Sequence, residues 1–184
     1  MRILGISGSL RDASYNTKLL RVAGGLLPDD VEFAVWDGLK AVEPYDEDDD
    51  RDPAPVGAQR FRDAIAGADA LLFATPEYNS SVPGQLKNAI DWASRPLATN
   101  VLRNKPVAVI GASAGMFGAV WAQADLRKVL AATGARVVEG EVAVGHAHTR
   151  FDEVGNLTDE NLVQQIDEVV QTLVAETQPV AVAA

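Results

Sequence analysis

The sequence predicts a parallel α/β sheet covered by helices on both faces. Short apolar runs alternate with amphipathic helical patterns along most of the chain, and this alternation is typical of strands joined by crossover helices. The strand runs are continuously apolar, as expected for strands buried on both faces. A length of 184 residues, 47% of them hydrophobic, suits one domain with its own core. We expect that domain to span residues 1–178 and a tail to follow over residues 179–184.

The first part of the chain supplies two strands and two helices. An apolar run over residues 3–6 ends at a Ser-Gly-Ser turn, and a helical pattern resumes at Thr17. A second apolar run, over residues 31–36, predicts the next strand. Within residues 58–67, phenylalanine, alanine and isoleucine recur at helical spacing, which places them on one face of a helix.

The segment between the second strand and the next helix, residues 37–55, has no periodicity. It contains an acidic run over residues 46–52, which we interpret as a solvated loop. Metal binding by these carboxylates is the alternative, but no spacing among them resembles an EF-hand.

The middle of the chain repeats the alternation. Residues 70–74 predict the third strand and residues 106–111 the fourth, since both runs are continuously apolar. Between them, residues 83–94 predict a helix with Pro83 at its first position and an apolar stripe along one side. Trp92 falls off that stripe, and a tryptophan in such a position is typical of a partner surface.

The last third of the chain completes the sheet. Residues 116–132 predict a helix closed by Gly134, residues 136–144 predict a fifth strand, and Thr158 is the expected N-cap of the last helix. The helix over 116–132 is apolar on two opposite sides, so it needs two neighbours. A second copy of the chain is one candidate, and a cofactor ring near Phe117 is another.

Charge and composition disfavour several classes of function. A net charge of −10 leaves no basic surplus for nucleic acid, so we expect no nucleic-acid partner. No apolar run reaches about eighteen residues, so we expect no membrane span. The absence of cysteine excludes disulfides, thiol nucleophiles and thiolate metal sites. No signal peptide is recognisable, which makes a cytoplasmic location the expectation.

Polar, glycine-rich loops follow the first, third and fourth predicted strands. They span residues 7–17, 75–84 and 111–118, and their residue types let a backbone approach a ligand closely. In parallel sheets, ligands bind outside the carboxyl ends of the strands, where the strand order reverses. We therefore expect the three loops to form one site.

The first loop has the composition of an anion pocket. Ser7, Ser9 and Ser14 offer hydroxyl groups beside a helix N-terminus, whose backbone N–H groups attract negative charge. Arg11 adds a planar fork of donors that suits a phosphate. The loop lacks the ending of a Walker A motif and the full dinucleotide fingerprint. A capped βα turn with a solvated arginine is the alternative interpretation.

The second loop presents an aromatic ring and an amide between two prolines. Pro76 and Pro83 stiffen its ends, so the residues between them have a fixed arrangement. Tyr78 offers a flat face that suits the edge of an aromatic ligand, and Asn79 offers a donor and an acceptor together. A type I turn that caps the following helix is the alternative.

Metal and hydrolase chemistry have little support in the sequence. His146 and His148 lie two residues apart, but no third ligand is in view, so we expect no metal site. The absence of a G-x-S-x-G nucleophile elbow disfavours a Ser-His-Asp hydrolase.

Three motifs in these loops have the spacing of known signatures. Residues 8–16, G-S-L-R-D-A-S-Y-N, match G-S-[LT]-R-x-x-S-x-N. Residues 76–92 match P-E-Y-N-x-S-x-P-G-x-L-K-N-A-I-D-W. Residues 111–118, G-A-S-A-G-M-F-G, match G-x-S-x-G-x-x-G, with Ala114 where proline or another small residue is common. Over residues 1 to about 145, the chain thus resembles the NAD(P)H-dependent FMN reductases.

The resemblance implies a flavodoxin-like fold, a three-layer sandwich whose five-stranded parallel sheet has the order 2-1-3-4-5, and it implies FMN as cofactor. The residues assigned to the FMN phosphate are Ser9, Arg11, Ser14, Asn16 and Thr17. The residues assigned to the ribityl chain and isoalloxazine ring are Pro76, Glu77, Tyr78 and Asn79. The residues assigned to the pyrimidine side are Ser113, Gly115 and Gly118.

The activity implied by the resemblance is electron transfer from NAD(P)H through FMN to quinone-like or other small acceptors. Backbone N–H groups, rather than a general acid, would stabilise the reduced ring, so no catalytic side chain is assigned. Family members are usually homodimers or homotetramers. A flavodoxin-type electron carrier without its own turnover is the alternative, although Arg11 departs from the usual carrier loop. A flavin-binding regulatory protein is a second alternative.

Overall fold

Parallel strands form the centre of the structure, a computed structural model that describes residues 1–177. The strands are Arg2–Ser7 (β1), Glu32–Trp36 (β2), Ala70–Thr75 (β3), Pro106–Ala112 (β4), Arg136–Val137 (β5) and Ala143–Val144 (β6). Their order is β2-β1-β3-β4-β5, with β6 also paired to β4, and every pairing is parallel. The order 2-1-3-4-5 is therefore confirmed. The tail predicted over residues 179–184 lies outside the described residues.

In the described range, residues 1–177, five α-helices cover both faces of this sheet. They are Tyr15–Gly25 (α1), Val56–Ala66 (α2), Gly84–Ala93 (α3), Val120–Ala132 (α4) and Glu160–Ala175 (α5). Alternate residues of each strand point to opposite faces. On β1, Leu4 joins the core beneath α2, α3 and α4, whereas Ile3 joins the core beneath α1 and α5. The continuously apolar strand runs follow from this burial on both faces.

No helix within residues 1–177 is long and apolar enough to cross a membrane.

The predicted fifth strand, residues 136–144, is wrong as a single element. Only its ends pair with β4, as β5 and β6, and the residues between them leave the ladder. The Arg127 guanidinium occupies this gap, where it donates to the carbonyl oxygens of Val138 (2.8 Å), Val109 (2.9 Å) and Gly140. A partly buried side chain thus replaces part of the backbone ladder, and the local apolar pattern carries no sign of it.

The helix predicted over residues 116–132 begins four residues later, at Val120. Gly118 and Ala119 have positive φ angles of 58° and 66°, a left-handed backbone that cannot belong to an α-helix. Gly118 also lies against β6, where an added Cβ would come within 2.4 Å of the Ala143 carbonyl carbon. Close packing at a glycine therefore delays the start of α4.

Three helix starts differ by one or two residues from those predicted. Ser14 caps α1, so this helix begins at Tyr15 rather than Thr17. Pro83 is the N-cap of α3 rather than its first helical residue. Asp159, not Thr158, caps α5, because its carboxylate accepts from two backbone N–H groups of the first turn.

Trp92 does not lie on a partner surface, contrary to the prediction. Its side chain is completely buried, and its Nε1 donates to the Glu43 carbonyl oxygen at 2.8 Å. Tyr45 packs edge-on against it, with ring centroids 4.9 Å apart. The segment after β2 therefore covers this side of α3.

The acidic run over residues 46–52 is largely exposed, as predicted, with one exception. The Asp50 carboxylate accepts from Arg62 at 3.0 Å and from Arg95 at 2.9 Å, and only 15% of its side chain is exposed. Burial alone would raise the pKa of Asp50, but the hydrogen bonds from Arg95 and Arg62 outweigh it and hold the pKa below its ordinary value. Asp50 thus ties the loop to α2 and to the segment after α3.

Replacing Asp50 with asparagine should lower the free energy of unfolding by about 1–3 kcal/mol at neutral pH, because two arginines lose their shared carboxylate. A depressed folded-state pKa stabilises above the ordinary aspartate value of about 3.9, and this stabilisation is lost as the pH falls through the folded-state value. The deficit should therefore be constant above about pH 5 and shrink below about pH 4. Urea denaturation at several pH values measures it. An equal loss of unfolding free energy in the exposed control Asp48→Asn would show that the ion pairs of Asp50 are not its cause.

Candidate functional site

The loops after β1, β3 and β4 meet at the carboxyl edge of the sheet and enclose a cavity of about 370 Å³. Nine of the twelve residues predicted for the site line this cavity: Ser9, Arg11, Ser14, Asn16, Pro76, Glu77, Tyr78, Ser113 and Gly115. Thr17, Asn79 and Gly118 do not line it. The three loops thus come together where the strand order predicts a ligand site.

The first loop has unpaired backbone donors on residues that line this cavity. The Ser14 hydroxyl accepts from Thr17 N at 3.2 Å, which satisfies one donor of the first turn of α1. The N–H groups of Tyr15 and Asn16 have no acceptor within residues 1–177. Arg11 is exposed, and its guanidinium has no carboxylate within 4 Å in that range. Together these donors suit a dianionic phosphate.

Thr17 lies behind this turn. Its hydroxyl group is 3.1 Å from the Ser7 hydroxyl, at the end of β1. The contact fixes the start of α1 on the strand, so Thr17 supports the loop from outside the cavity.

Asn16 joins the first loop to the third. Its Nδ2 donates to the Ala112 carbonyl oxygen and its Oδ1 accepts from Ala112 N, both at 2.9 Å. Asn16 is 3% exposed and Ala112 1%, so these bonds are shielded from water. The side-chain amide therefore bonds to β4 through both its nitrogen and its oxygen, and the Asn16 backbone N–H remains available to a ligand.

The second loop is a tight hairpin rather than the type I turn considered as its alternative. Tyr78 and Ser81 exchange backbone hydrogen bonds of 3.2 Å, and the two residues between them, Asn79 and Ser80, have φ angles of 54° and 60°. Two left-handed central residues define a type I′ turn, in which asparagine is favoured. Asn79 is exposed at its tip, outside the cavity, while Tyr78 faces the cavity.

Glu77 links the second loop to α4. Its Oε2 accepts from Trp121 N and Ala122 N, both at 3.1 Å, and so caps a helix whose own N-cap residue, Ala119, offers no side-chain acceptor. The Ser81 hydroxyl donates to Asp125 on the same helix at 2.5 Å. Glu77 lines the cavity, but its carboxylate serves the helix, and the cap comes from more than forty residues earlier in the chain.

The third loop presents a row of backbone donors. The N–H groups of Ala114, Gly115 and Met116 have no acceptor in the part of the chain that is described. The carbonyl oxygens of Ser113 and Gly115, in contrast, accept from the backbone of the segment after β6, at 3.0 and 2.9 Å. Unpaired donors on a loop whose Ala114 and Gly115 line the cavity suit an electron-rich ring edge.

The histidines lie behind the third loop. His146 N donates to the Gly115 carbonyl oxygen, and both imidazole rings are exposed, with centroids 6.2 Å apart. No group of three or more His, Cys, Asp or Glu side chains placed to hold a metal occurs within residues 1–177.

Three cavity-lining residues are missing from the predicted set: Tyr15, Ala112 and Ala114, the last of which lies inside the third motif without having been assigned to the site. The Tyr15 ring stacks on Phe151 with centroids 5.8 Å apart, which fixes it beside the first loop. An aromatic residue inside a Ser/Asn-rich loop is the signal that could have identified it. The sequence gives no such signal at Ala112, which is simply the last residue of an apolar strand.

Exposed apolar side chains occur on the second loop, on the third loop and at the start of α4. Tyr78, Met116, Phe117 and Trp121 are 50%, 62%, 51% and 48% exposed. The Phe117 and Trp121 rings pack edge to face with centroids 5.0 Å apart. Such a cluster is larger than the scattered apolar residues of an ordinary surface.

Comparison with known proteins places these features in context. A family model described as NADPH-dependent FMN reductase matches residues 1–149. An NAD(P)H-dependent FMN reductase of Pseudomonas aeruginosa is 44% identical over 174 residues, covering 94% of this chain and 93% of that protein. A 2-hydroxy-1,4-benzoquinone reductase of Burkholderia sp is 41% identical over 162 residues, covering 88% of this chain and 87% of that protein.

A solved structure with the same architecture is that of FerB, a flavoenzyme NAD(P)H:(acceptor) oxidoreductase from Paracoccus denitrificans. It superposes with a TM-score of 0.84 at 36% sequence identity and covers 95% of this chain and 98% of its own.

Proposed function

Because this chain belongs to the NADPH-dependent FMN reductase family, we propose that the cavity between its three loops holds FMN during electron transfer from NAD(P)H to quinone-like acceptors. The observation that carries the proposal is that two loops lining one cavity both have unpaired backbone donors. They are the N–H groups of Tyr15 and Asn16 in the first loop and of Ala114 and Gly115 in the third. This arrangement fits a ligand that has both a phosphate and a polar ring edge.

The residues fit FMN in distinct roles. Arg11, Ser9 and the N-terminus of α1 would hold the phosphate, since they supply charge and hydrogen-bond donors. Pro76 and Tyr78 would contact the ring system. Asn16 and Thr17 position the loop from behind, through their bonds to Ala112 and Ser7.

When bound, FMN would supply hydride and electron transfer between a reduced nicotinamide and an acceptor. The chain itself would bind and orient the cofactor. The N–H groups of the third loop would stabilise negative charge at the ring edge, and the Glu77 cap holds the second loop against α4, the helix that follows the third loop. No side chain is needed as a general acid or base.

An absorbance spectrum between 300 and 550 nm, with FMN added if the protein is colourless, tests the proposal. NADPH should bleach a flavin spectrum, and a quinone should restore it through many turnovers. A spectrum that bleaches but gives no sustained NADPH consumption would indicate an electron carrier, and failure to bind FMN would refute the site. We also propose that the protein is located in the cytoplasm.

A second copy of the chain is the proposed occupant of the exposed apolar cluster, so that the protein is a homodimer or homotetramer. The cluster continues along α4, where Val120 and Ala124 extend the apolar face predicted opposite the buried one. Its position beside the cavity would place the partner next to the ligand.

Replacing Trp121 with aspartate should convert the oligomer to monomer, because a charge would be buried in an apolar contact. Sedimentation velocity at micromolar concentration measures the mass. The matched control is Val154→Asp, since Val154 is 84% exposed in a turn far along the chain. A wild-type protein that sediments as a monomer would refute the oligomer.

A further inference from the structure

A buried glutamine on α4 contacts both ends of the third loop. Gln123 is completely buried, and its Nε2 donates to the Gly118 carbonyl oxygen at 3.2 Å. The same amide packs against Gly111, where an added Cβ would come within 2.9 Å of Nε2 and 3.1 Å of Cδ. Because the loop spans residues 111–118, one side-chain amide contacts both its first and its last residue.

The oxygen of this amide is unsatisfied. Gln123 Oε1 is buried and has no hydrogen-bond partner within residues 1–177. A buried acceptor without a donor lowers stability, and most buried polar atoms in proteins have a partner. Asn16 shows the usual arrangement, since its Nδ2 and its Oδ1 both bond to Ala112. Gln123 is therefore only half satisfied, and its one hydrogen-bonded side-chain contact is with the end of the third loop.

The contacts of Gln123 complement the anchors that β6 and the segment after it provide. The carbonyl oxygens of Ser113 and Gly115 accept from that segment, and Gly118 packs against β6. Between these anchors, Ala114 and Gly115 have unpaired N–H groups and line the cavity. The backbone dihedral angles along the loop set the orientation of each peptide plane, so holding both ends of the loop restricts where these N–H groups point.

We propose that Gln123 is a positioning residue, which holds the ends of the third loop so that its N–H groups stabilise reduced FMN more than oxidised FMN. This inference rests on the proposed function, which places FMN in the cavity beside this loop. Reduction adds negative charge to the ring, and donors that are already in place stabilise that charge without reorganisation. Gln123 acts through the backbone of the loop, since its own side chain does not line the cavity.

Redox titration of the FMN-loaded protein, followed by absorbance, tests the positioning role in Gln123→Met. Methionine keeps the approximate length and volume of the side chain but removes the amide. The ratio of the affinities for reduced and oxidised FMN should fall about fivefold, which lowers the two-electron potential by about 20 mV. A substitution that affected stability alone would leave this potential unchanged.

Urea denaturation of the ligand-free protein separates the positioning role from a structural one. Gln123→Met removes the donor to the Gly118 carbonyl oxygen, but it also removes the unpartnered Oε1. One buried acceptor at this position is thus without a partner before and after the substitution, so the midpoint of denaturation should stay close to that of the wild type. A large drop in the midpoint with an unchanged potential would show that Gln123 serves only the packing of α4.

Nuclear magnetic resonance relaxation of the ligand-free protein tests the hold on the loop independently of FMN. The order parameters of the Ala114, Gly115 and Met116 amides should be near the rigid-backbone value of about 0.85 in the wild type and fall toward about 0.6 in Gln123→Met. The matched control is Gln165→Met, since Gln165 is an exposed glutamine of α5. Equal order parameters in all three proteins would overturn the positioning role.

The two readouts distinguish failure of this inference from failure of the proposed function. If FMN binds and the wild type and Gln123→Met have the same potential, this inference is overturned and the reductase stands. If the protein binds no FMN, the proposed function fails, while the relaxation measurement still decides whether Gln123 holds the third loop.

Discussion

Replacing Arg11 with alanine is expected to weaken FMN binding by about 1.5–3 kcal/mol, or roughly ten- to 150-fold, the range for a hydrogen bond to a charged group. Arg11 is exposed, lines the cavity and has no carboxylate partner within residues 1–177. Its removal therefore breaks no ion pair of the fold, and the free energy of unfolding of the protein without ligand should be unchanged. Quenching of FMN fluorescence on titration with protein measures the affinity.

Riboflavin supplies the decisive comparison for Arg11, because it carries the same ring system without the phosphate. Arg11→Ala should leave riboflavin affinity unchanged, and Arg11→Lys should give an intermediate FMN affinity, since lysine keeps the charge but loses the planar fork. Arg60→Ala serves as the charge-matched control. Equal losses for FMN and riboflavin would show that Arg11 does not bind the phosphate.

The sheet could be predicted because each strand carries its information locally. The apolar runs of β1, β3 and β4 are continuous, so their burial between two helical layers follows from the sequence alone. The order of strands follows less directly, since it came from the resemblance of the loop motifs rather than from the strands themselves. The structure confirms it.

The errors arise where distant residues decide local structure. Trp92 lies off the apolar stripe of α3, yet the segment around Glu43 folds over it and accepts its Nε1 hydrogen bond. The gap between β5 and β6 depends on the hydrogen bonds of the partly buried Arg127, which no apolar pattern reveals. The start of α4 depends on a cap from Glu77, far away in sequence. Periodicity within a segment cannot report such contacts.

The composition of the loops predicted which residues gather at the candidate site better than it predicted what each of them does there. The residue types of the three loops indicated which residues would gather, and nine of the twelve line one cavity. Composition alone did not separate groups that face the cavity from groups that hold it together. Asn16 and Glu77 look like ligand contacts in the sequence, yet the side chain of each is bonded to the backbone of another element.

Asn16 gives the second large prediction, a loss of about 2–5 kcal/mol in the free energy of unfolding for Asn16→Ala. The substitution leaves the buried N–H and carbonyl groups of Ala112 without partners, and each unsatisfied group costs about 1–3 kcal/mol. Urea denaturation measures the loss. Asn161→Ala is the control, since Asn161 is exposed on α5 and its side chain makes no hydrogen bond within residues 1–177.

Asn16→Asp tests the same pair of bonds through pH. A carboxylate still accepts from Ala112 N but cannot donate to the Ala112 carbonyl oxygen, whereas a protonated carboxyl group can do both. This variant should therefore gain stability relative to Asn16→Ala as the pH is lowered from 7 to about 5. Parallel pH profiles of the two variants would contradict the paired geometry.

The ligand response of Asn16→Ala should differ in kind from that of Arg11→Ala. Arg11 contacts only the phosphate, so its loss should weaken the binding of FMN and leave the binding of riboflavin unchanged. Asn16 joins the phosphate loop to the end of β4, from which the third loop begins, so its loss should displace the donors of both loops that line the cavity. FMN and riboflavin affinities should therefore fall together. If only FMN affinity falls, Asn16 contributes to phosphate binding and does not hold the two loops in register.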